Sequence, residues 1–360
     1  MFETVVVVPR VYPGIFAFDN LMSLTLSPPI EAVEGLINEG QNAIFAGYFG
    51  VGKTMFAGQL SISLAIGREF LGRKVRRPYK VVFIDFETGP TAIRERISKQ
   101  VEGAKLSPDE RERLSSNWIY VNALDEECPF YGLQSDKHGL EKLAAFINEV
   151  GGEILIIDNL GWFATGDLSD PQAIKDFYKA LRGLRTNCES LKDGIILLLH
   201  HLTKPGEKSG RCSLLTSPRE YLSMARGSQR LLDFAECRLA LAEEVVDDQV
   251  VHIVNGVNRT AVVQPLVIQL GTESLSFDLH EDSELRYKQA FEGKAKQKQV
   301  FEAFPKGEFT WTDVKSMKVE GKVVNPGTLS STLTTARLNQ FVAYDSTTKK
   351  YRKIFEPGAE

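Results

Sequence analysis

The sequence predicts an α/β fold: a mostly parallel sheet flanked by helices, followed by a smaller unit of different composition. Three observations point to it. Short apolar runs end in polar residues, as strands buried on both faces do: residues 81–84 before Asp85 and Glu87, 154–157 before Asp158, and 195–199 before His200 and His201. Segments with apolar residues at helical spacing lie between them: Met55, Phe56, Leu60 and Leu64; Leu140, Leu143, Ile147 and Val150; Ile174, Phe177, Leu181 and Leu184. Residues 285–360 hold 14 Lys and Arg against 8 Asp and Glu, while the whole chain carries −4, so a basic tail follows a body of about −10. Such a tail suits a polyanionic partner.

At 360 residues the chain has room for one large domain and a small one. Its 43% hydrophobic and 25% charged content is ordinary for a globular protein. The four cysteines, Cys128, Cys188, Cys212 and Cys237, form no C-x-x-C pair. That argues against a disulfide framework or zinc ribbon and fits a reducing cytoplasm. No apolar stretch nears the roughly 20 residues of a membrane span, and the N-terminus lacks signal-peptide features. No internal repeat is visible.

In chain order, residues 1–30 form an apolar, proline-interrupted arm, with Val5 to Val8, Phe16 and Phe18 set among Pro9, Pro13, Pro28 and Pro29. It reads either as an edge strand on its own domain or as an arm docking on a neighbouring subunit. The α/β body spans 31–280. Its strands fall at 43–46, 81–87, 118–121, 154–158 and 195–199, and two later antiparallel ones at 250–254 and 266–270. A charged helix falls near 91–102, and Ser169, Asp170 and Pro171 start another. The polar segment 281–299 is the domain boundary. Beyond it, at 300–360, come a helix end at Val300, Phe301 and Phe304, helices at 312–317 and 328–338, and a hairpin of 341–344 with 351–355. That is the outline of a winged helix.

The chemistry centres on Gly47, Tyr48, Phe49, Gly50, Val51, Gly52, Lys53 and Thr54, which satisfy the phosphate-loop pattern G-x-x-x-x-G-K-[ST] between a strand and a helix. Glycines let backbone N–H groups wrap an anion, and the helix beginning near Lys53 aims its positive end at it. Gly47, Gly50, Val51, Gly52, Lys53, Thr54 and Met55 are therefore the expected nucleotide-binding residues. The Lys53 ammonium reaches the β- and γ-phosphates of ATP and the Thr54 hydroxyl ligates Mg²⁺. Asp158, ending an apolar strand, is the expected second holder of Mg²⁺. Glu87 is the expected water-orienting base. It is preferred to Asp85, two residues earlier on the same side, because it stands nearer the carboxyl edge where ligands bind. An adjacent His200–His201 pair offers too few ligands for zinc, but one of the two is expected near the γ-phosphate.

These strand ends, in this order, resemble the RecA-like and DnaB-like branch of nucleotide-driven ATPases. The stretches 35–40 and 67–72, the His-His pair and Arg226-Gly227-Ser228 are similar to the RepA-type hexameric replicative helicases of plasmids and phages. The resemblance covers roughly residues 30–275. It implies that Glu87 is catalytic, that His201 is the sensor, and that Arg259 is a finger inserted into a neighbour's ATP site, with Arg226 a second arginine near that interface. Val257 stands where those rings carry a lysine. The polar loop 204–221, with Lys204, Lys208 and Arg211, lies where RecA-like ATPases contact DNA. In the C-terminal unit, Arg337, Lys349, Lys350 and Arg352 are the expected phosphate contacts if it binds duplex DNA; winged helices also dock proteins. The expectation is a DNA helicase acting as a homo-oligomeric, hexameric ring with single-stranded DNA in its channel. The alternative is a KaiC-like regulatory or partition ATPase that grips duplex DNA without unwinding it.

Overall fold

The structure is a computed structural model and describes residues 18–23, 28–202, 212–215, 217–225, 230–246, 249–261, 263–280, 290–291, 293–338, 341–345, 349–353 and 357. Its first strands are β1 (Glu31–Val33), β2 (Ile37–Asn38), β3 (Asn42–Gly47), β4 (Val81–Asp85), β5 (Trp118–Asn122) and β6 (Ile154–Asp158). Then follow β7 (Ile195–His201), β8 (Cys237–Val246), β9 (Gln249–Asn258), β10 (Leu266–Leu270) and β11 (Phe277–Leu279). The helices between them are α1 (Phe18–Met22), α2 (Lys53–Ile66), α3 (Pro90–Ala104), α4 (Pro108–Asn117), α5 (Lys137–Val150), α6 (Leu160–Phe163), α7 (Pro171–Asn187), α8 (Pro218–Leu222) and α9 (Arg230–Phe234).

Nine strands form one sheet in the order β11-β10-β9-β8-β3-β7-β6-β4-β5. Neighbours from β8 to β5 run parallel, while β8 to β11 pair antiparallel. Alternation puts Ile44, Val82, Ile84, Leu155, Ile157 and Leu198 into one core with α5 and α7. Their neighbours Phe45, Phe83, Ile156 and Leu197 enter a second core with α2. Both faces are thus covered, and the near-continuous apolar strands follow. Phe56 of α2 stacks on Phe45 at 4.8 Å and meets Phe70 edge-on at 5.1 Å. Each such ring contributes roughly 1.5–3 kcal/mol by burial, which clamps the start of α2 to the sheet.

Parallel register brings the carboxyl ends of β3, β4, β6 and β7 to one edge, where Gly47, Asp85, Asp158 and His201 end their strands. In an open α/β sheet, ligands bind at this edge.

Several elements depart from the sequence reading. Strand β8, central to the sheet, was not expected: its Leu239, Ala240, Leu241, Ala242 and Glu243 are good helix formers, and pairing with β3 and β9 overrides that preference. Helix α4 was also missed, although Ser107 and Glu110 form a capping box ahead of it. The strand expected at 81–87 stops at Asp85. The loop expected over 204–221 ends in structure: Leu214, Leu215, Tyr221 and Leu222 are buried against the α7-side core, and Pro218–Leu222 is helical. At the N-terminus, Phe18–Met22 is a short helix, and Val5 to Val8 lie outside the described residues. Among the described residues no helix is long and apolar enough to cross a membrane.

The C-terminal unit has helices Ala295–Glu302, Trp311–Val314 and Pro326–Leu338, the short strands β12 (Glu308–Phe309), β13 (Lys318–Val319) and β14 (Lys322–Val323), and the hairpin strands β15 (Val342–Asp345) and β16 (Lys350–Lys353). Strand β16 lies between β12 and β15. Phe301, Phe304, Phe309, Leu329, Leu333 and Phe341 form its core together with Ala290 and Phe291, so that core begins ahead of residue 300.

Candidate active site

The turn after β3 requires glycine at two places. A Cβ on Gly47 would lie 2.9 Å from the Leu241 carbonyl oxygen and from Val51 Cγ1. Gly52 has φ of +94°, and a Cβ there would approach Phe277 Cζ to 3.0 Å. No side chain caps α2, so its first-turn N–H groups are left for a ligand. Gly50, Gly52, Lys53, Thr54 and Met55 line a cleft of about 450 Å³ with Glu87, Asp158 and His201 opposite. Buried Val51 supports the turn from below. A larger cleft of about 650 Å³ lies by Asn255, Lys294 and Thr335, but it holds none of these groups.

Lys53 is buried, and its ammonium donates to the carbonyls of Gly47 (3.0 Å) and Tyr48 (2.9 Å). Burial lowers its pKa; Asp158 and Glu87 act in the other direction. No carboxylate among the described residues pairs with it directly. A buried cation lacking a direct counter-charge among the described residues, at the uncapped N-terminus of α2, fits a polyphosphate.

Thr54 Oγ1 donates to Asp158 Oδ2 at 2.6 Å. Burial pushes the Asp158 carboxyl up to about 7; the Thr54 bond opposes this, while the charges of Asp85 and Glu87 add to it. A hydroxyl and a crowded carboxylate are the oxygen donors that suit Mg²⁺, and the cation would relieve the crowding. The raised pKa fixes a sign. Asp158 is protonated in the metal-free fold where the unfolded chain is ionised, so stability falls as pH rises from about 4 to about 7 and then levels. Melting temperatures of metal-free protein should decline more steeply across that window than those of Asp158→Asn. Equal slopes would contradict this.

Glu87 owes its position to Asp85. The fully buried Asp85 carboxylate accepts from the backbone N–H groups of Glu87 (2.9 Å), Thr88 (2.9 Å) and Gly89 (2.8 Å), and from the Tyr120 hydroxyl (2.8 Å). With its acceptors engaged, Asp85 closes the turn that carries Glu87 into the cleft. The Asn159 amide donates to Glu87 Oε2, and His201 Nε2 stands 3.3 Å from the same oxygen. The other ring nitrogen of His201, Nδ1, is 3.3 Å from the Lys53 ammonium. An ammonium only donates, so Nδ1 accepts and Nε2 carries the proton toward Glu87. His201 therefore bridges the lysine and the glutamate, whereas His200 is buried in β7.

Asn159 and Arg96 also belong to this neighbourhood, and the sequence reading missed both. Arg96 lines the cleft from α3. A polar residue directly after Asp158 and before α6 was the available signal for Asn159.

Arg259 is elsewhere. It follows Asn258, which pairs with Cys237, which in turn pairs with Ala43 at the far end of β3. Four residues of strand, about 13 Å, separate that register from Gly47. Its guanidinium is exposed and donates to the Asp233 carbonyl. Arg226, Lys204, Lys208 and Arg211 lie outside the described residues. In the C-terminal unit Arg337 sits over the Tyr344 ring at 4.7 Å, while Lys350 and Arg352 share Glu308 at 3.1 and 3.2 Å. Lys349 is exposed.

The sheet order and the cleft define a RecA-like ATPase with a nucleotide-binding phosphate loop. A family of AAA domains matches residues 12–207, more than half of the chain, and the chain belongs to that family. No curated protein matches it. Among solved structures, a KaiC-like protein from the hyperthermophilic archaeon Pyrococcus horikoshii OT3 is similar over 76% of this chain and 99% of its own, at 16% identity and a TM-score of 0.43. The ATPase domain of G40P is similar over 67% of this chain and 85% of its own, at 15% identity and a TM-score of 0.48.

Proposed function

We propose that this ATPase is a DNA translocase of the RepA helicase type, working as a hexameric ring of identical subunits. Lys53 holds the β- and γ-phosphates, while Thr54 and Asp158 hold Mg²⁺, which neutralises developing charge. Glu87 orients the attacking water. His201 reads the γ-phosphate end through Lys53, and Arg259 of one subunit enters the cleft of the next. The far-end placement of Arg259 supports that last role, since it cannot serve its own cleft. Val257 leaves the finger without its companion lysine, but Arg238 lies directly across the ladder from it, 3.9 Å from Asp233, and supplies a second cation on the same face.

One observation carries the reading: His201 touches both Lys53 and Glu87, and Lys204, first cation of the proposed DNA loop, follows three residues later. Nucleotide state at the cleft thus has a short covalent route to a DNA-contacting segment. Turnover should rise with single-stranded DNA, and assembled protein should separate a forked duplex. Turnover indifferent to single strands, with no strand separation, would overturn it.

The C-terminal unit favours a second reading. Its helix–strand–helix–hairpin–helix–hairpin order, with β12 paired to β16, supports a winged helix, in which Arg337, Lys349, Lys350 and Arg352 would meet duplex phosphates. A KaiC-like regulatory or partition ATPase would use that unit on duplex DNA, and turnover would then respond to duplex rather than single strands.

A further inference from the structure

We infer that Asn159 is a positioning residue for the hydrolytic water: its amide fixes the Glu87 carboxylate, and with it the geometry of attack. The inference rests on the reading of Glu87 as the water-orienting base.

Asn159 directly follows Asp158 on β6 and is almost fully buried. Its two amide atoms do different work. The oxygen accepts from the Trp162 backbone N–H at 3.3 Å and so caps α6. The nitrogen donates to Glu87 Oε2, the oxygen that His201 Nε2 faces. Glu87 stands beyond the end of its own strand, on a turn, so the backbone alone leaves its χ angles free. Two donors on one carboxylate oxygen, one from the residue just past β6 and one from β7, restrict that freedom. The other oxygen, Oε1, is left to accept a proton from water. His201 faces Lys53 as well as Glu87, whereas the Asn159 side chain is anchored at its other end by the Trp162 backbone N–H. A water-orienting group must be held to within fractions of an ångström, which is what a buried amide on a rigid strand end provides.

The two roles of Asn159 separate by substitution. Serine caps helices about as well as asparagine but is too short to reach Glu87. In Asn159→Ser we expect an unchanged melting temperature and unchanged KM for Mg-ATP, with kcat lowered roughly tenfold or more. Because Asn159 acts through Glu87, adding Asn159→Ser to Glu87→Gln should lower turnover no further. Asn159→Ser with parental kcat would overturn the inference, as would equal losses in the parental and Glu87→Gln backgrounds, which would mark a role independent of Glu87. If Glu87→Gln alone kept full turnover, the assignment of Glu87 would fail instead, whatever serine did at 159.

Discussion

Lys53→Ala abolishes ATP turnover and weakens nucleotide binding roughly a hundredfold or more, because one side of a buried charge pair with phosphate is lost. The same substitution should leave the nucleotide-free protein at least as stable as the parent. Among the described residues, the direct partners of buried Lys53 are two carbonyls and an imidazole, and burial lowers its pKa, so its charge is a cost to the empty fold. The two effects are opposite in sign, which separates a ligand-binding lysine from a structural one. Phosphate release, binding of a fluorescent nucleotide and a thermal melt test them. Full turnover, or a collapse of stability with binding retained, would contradict the assignment.

Glu87→Gln should lower kcat on the order of 10² to 10³ while leaving nucleotide affinity within a small factor, as expected for loss of a general base. Glutamine keeps the size and the amide oxygen that Asn159 and His201 can still meet, so the cleft should keep its shape. Single-turnover experiments should show bound, uncleaved ATP. Phosphate release within about threefold of the parent would move the base elsewhere. Asp85 is not a candidate, because its carboxylate is spent on three backbone N–H groups and Tyr120.

What the sequence disclosed was what is local. The phosphate loop is a contiguous pattern whose glycines answer steric demands within a few residues, so Lys53 and Thr54 were legible at once. Asp158 and Glu87 were legible because an acid at the end of an apolar run marks the carboxyl edge of a strand. His201 was expected beside them from its strand end and from family likeness, but its contacts with Lys53 and Glu87 were not legible, since they depend on β4, β6 and β7 lying side by side in register. Strand β8 was lost to its own helix-forming composition, and only its place between β3 and β9 makes it a strand. Asn159 was passed over because nothing in one sequence says which way its amide points. Arg259 shows the limit in the other direction: family likeness named it, and the fold adds that it lies at the wrong end of the sheet to serve its own cleft.

That placement gives the most direct test of the account. Lys53→Ala subunits should lack a working cleft but keep the proposed finger, and Arg259→Ala subunits should lack that finger but keep the cleft. Each alone should be nearly inactive. Mixed in equal amounts and reassembled, they should recover about a quarter of parental ATP turnover, the share of head-to-tail interfaces that pairs an intact cleft with an intact arginine under random assembly. Turnover no greater than the average of the two separate variants, or an Arg259→Ala protein as active as the parent, would contradict it.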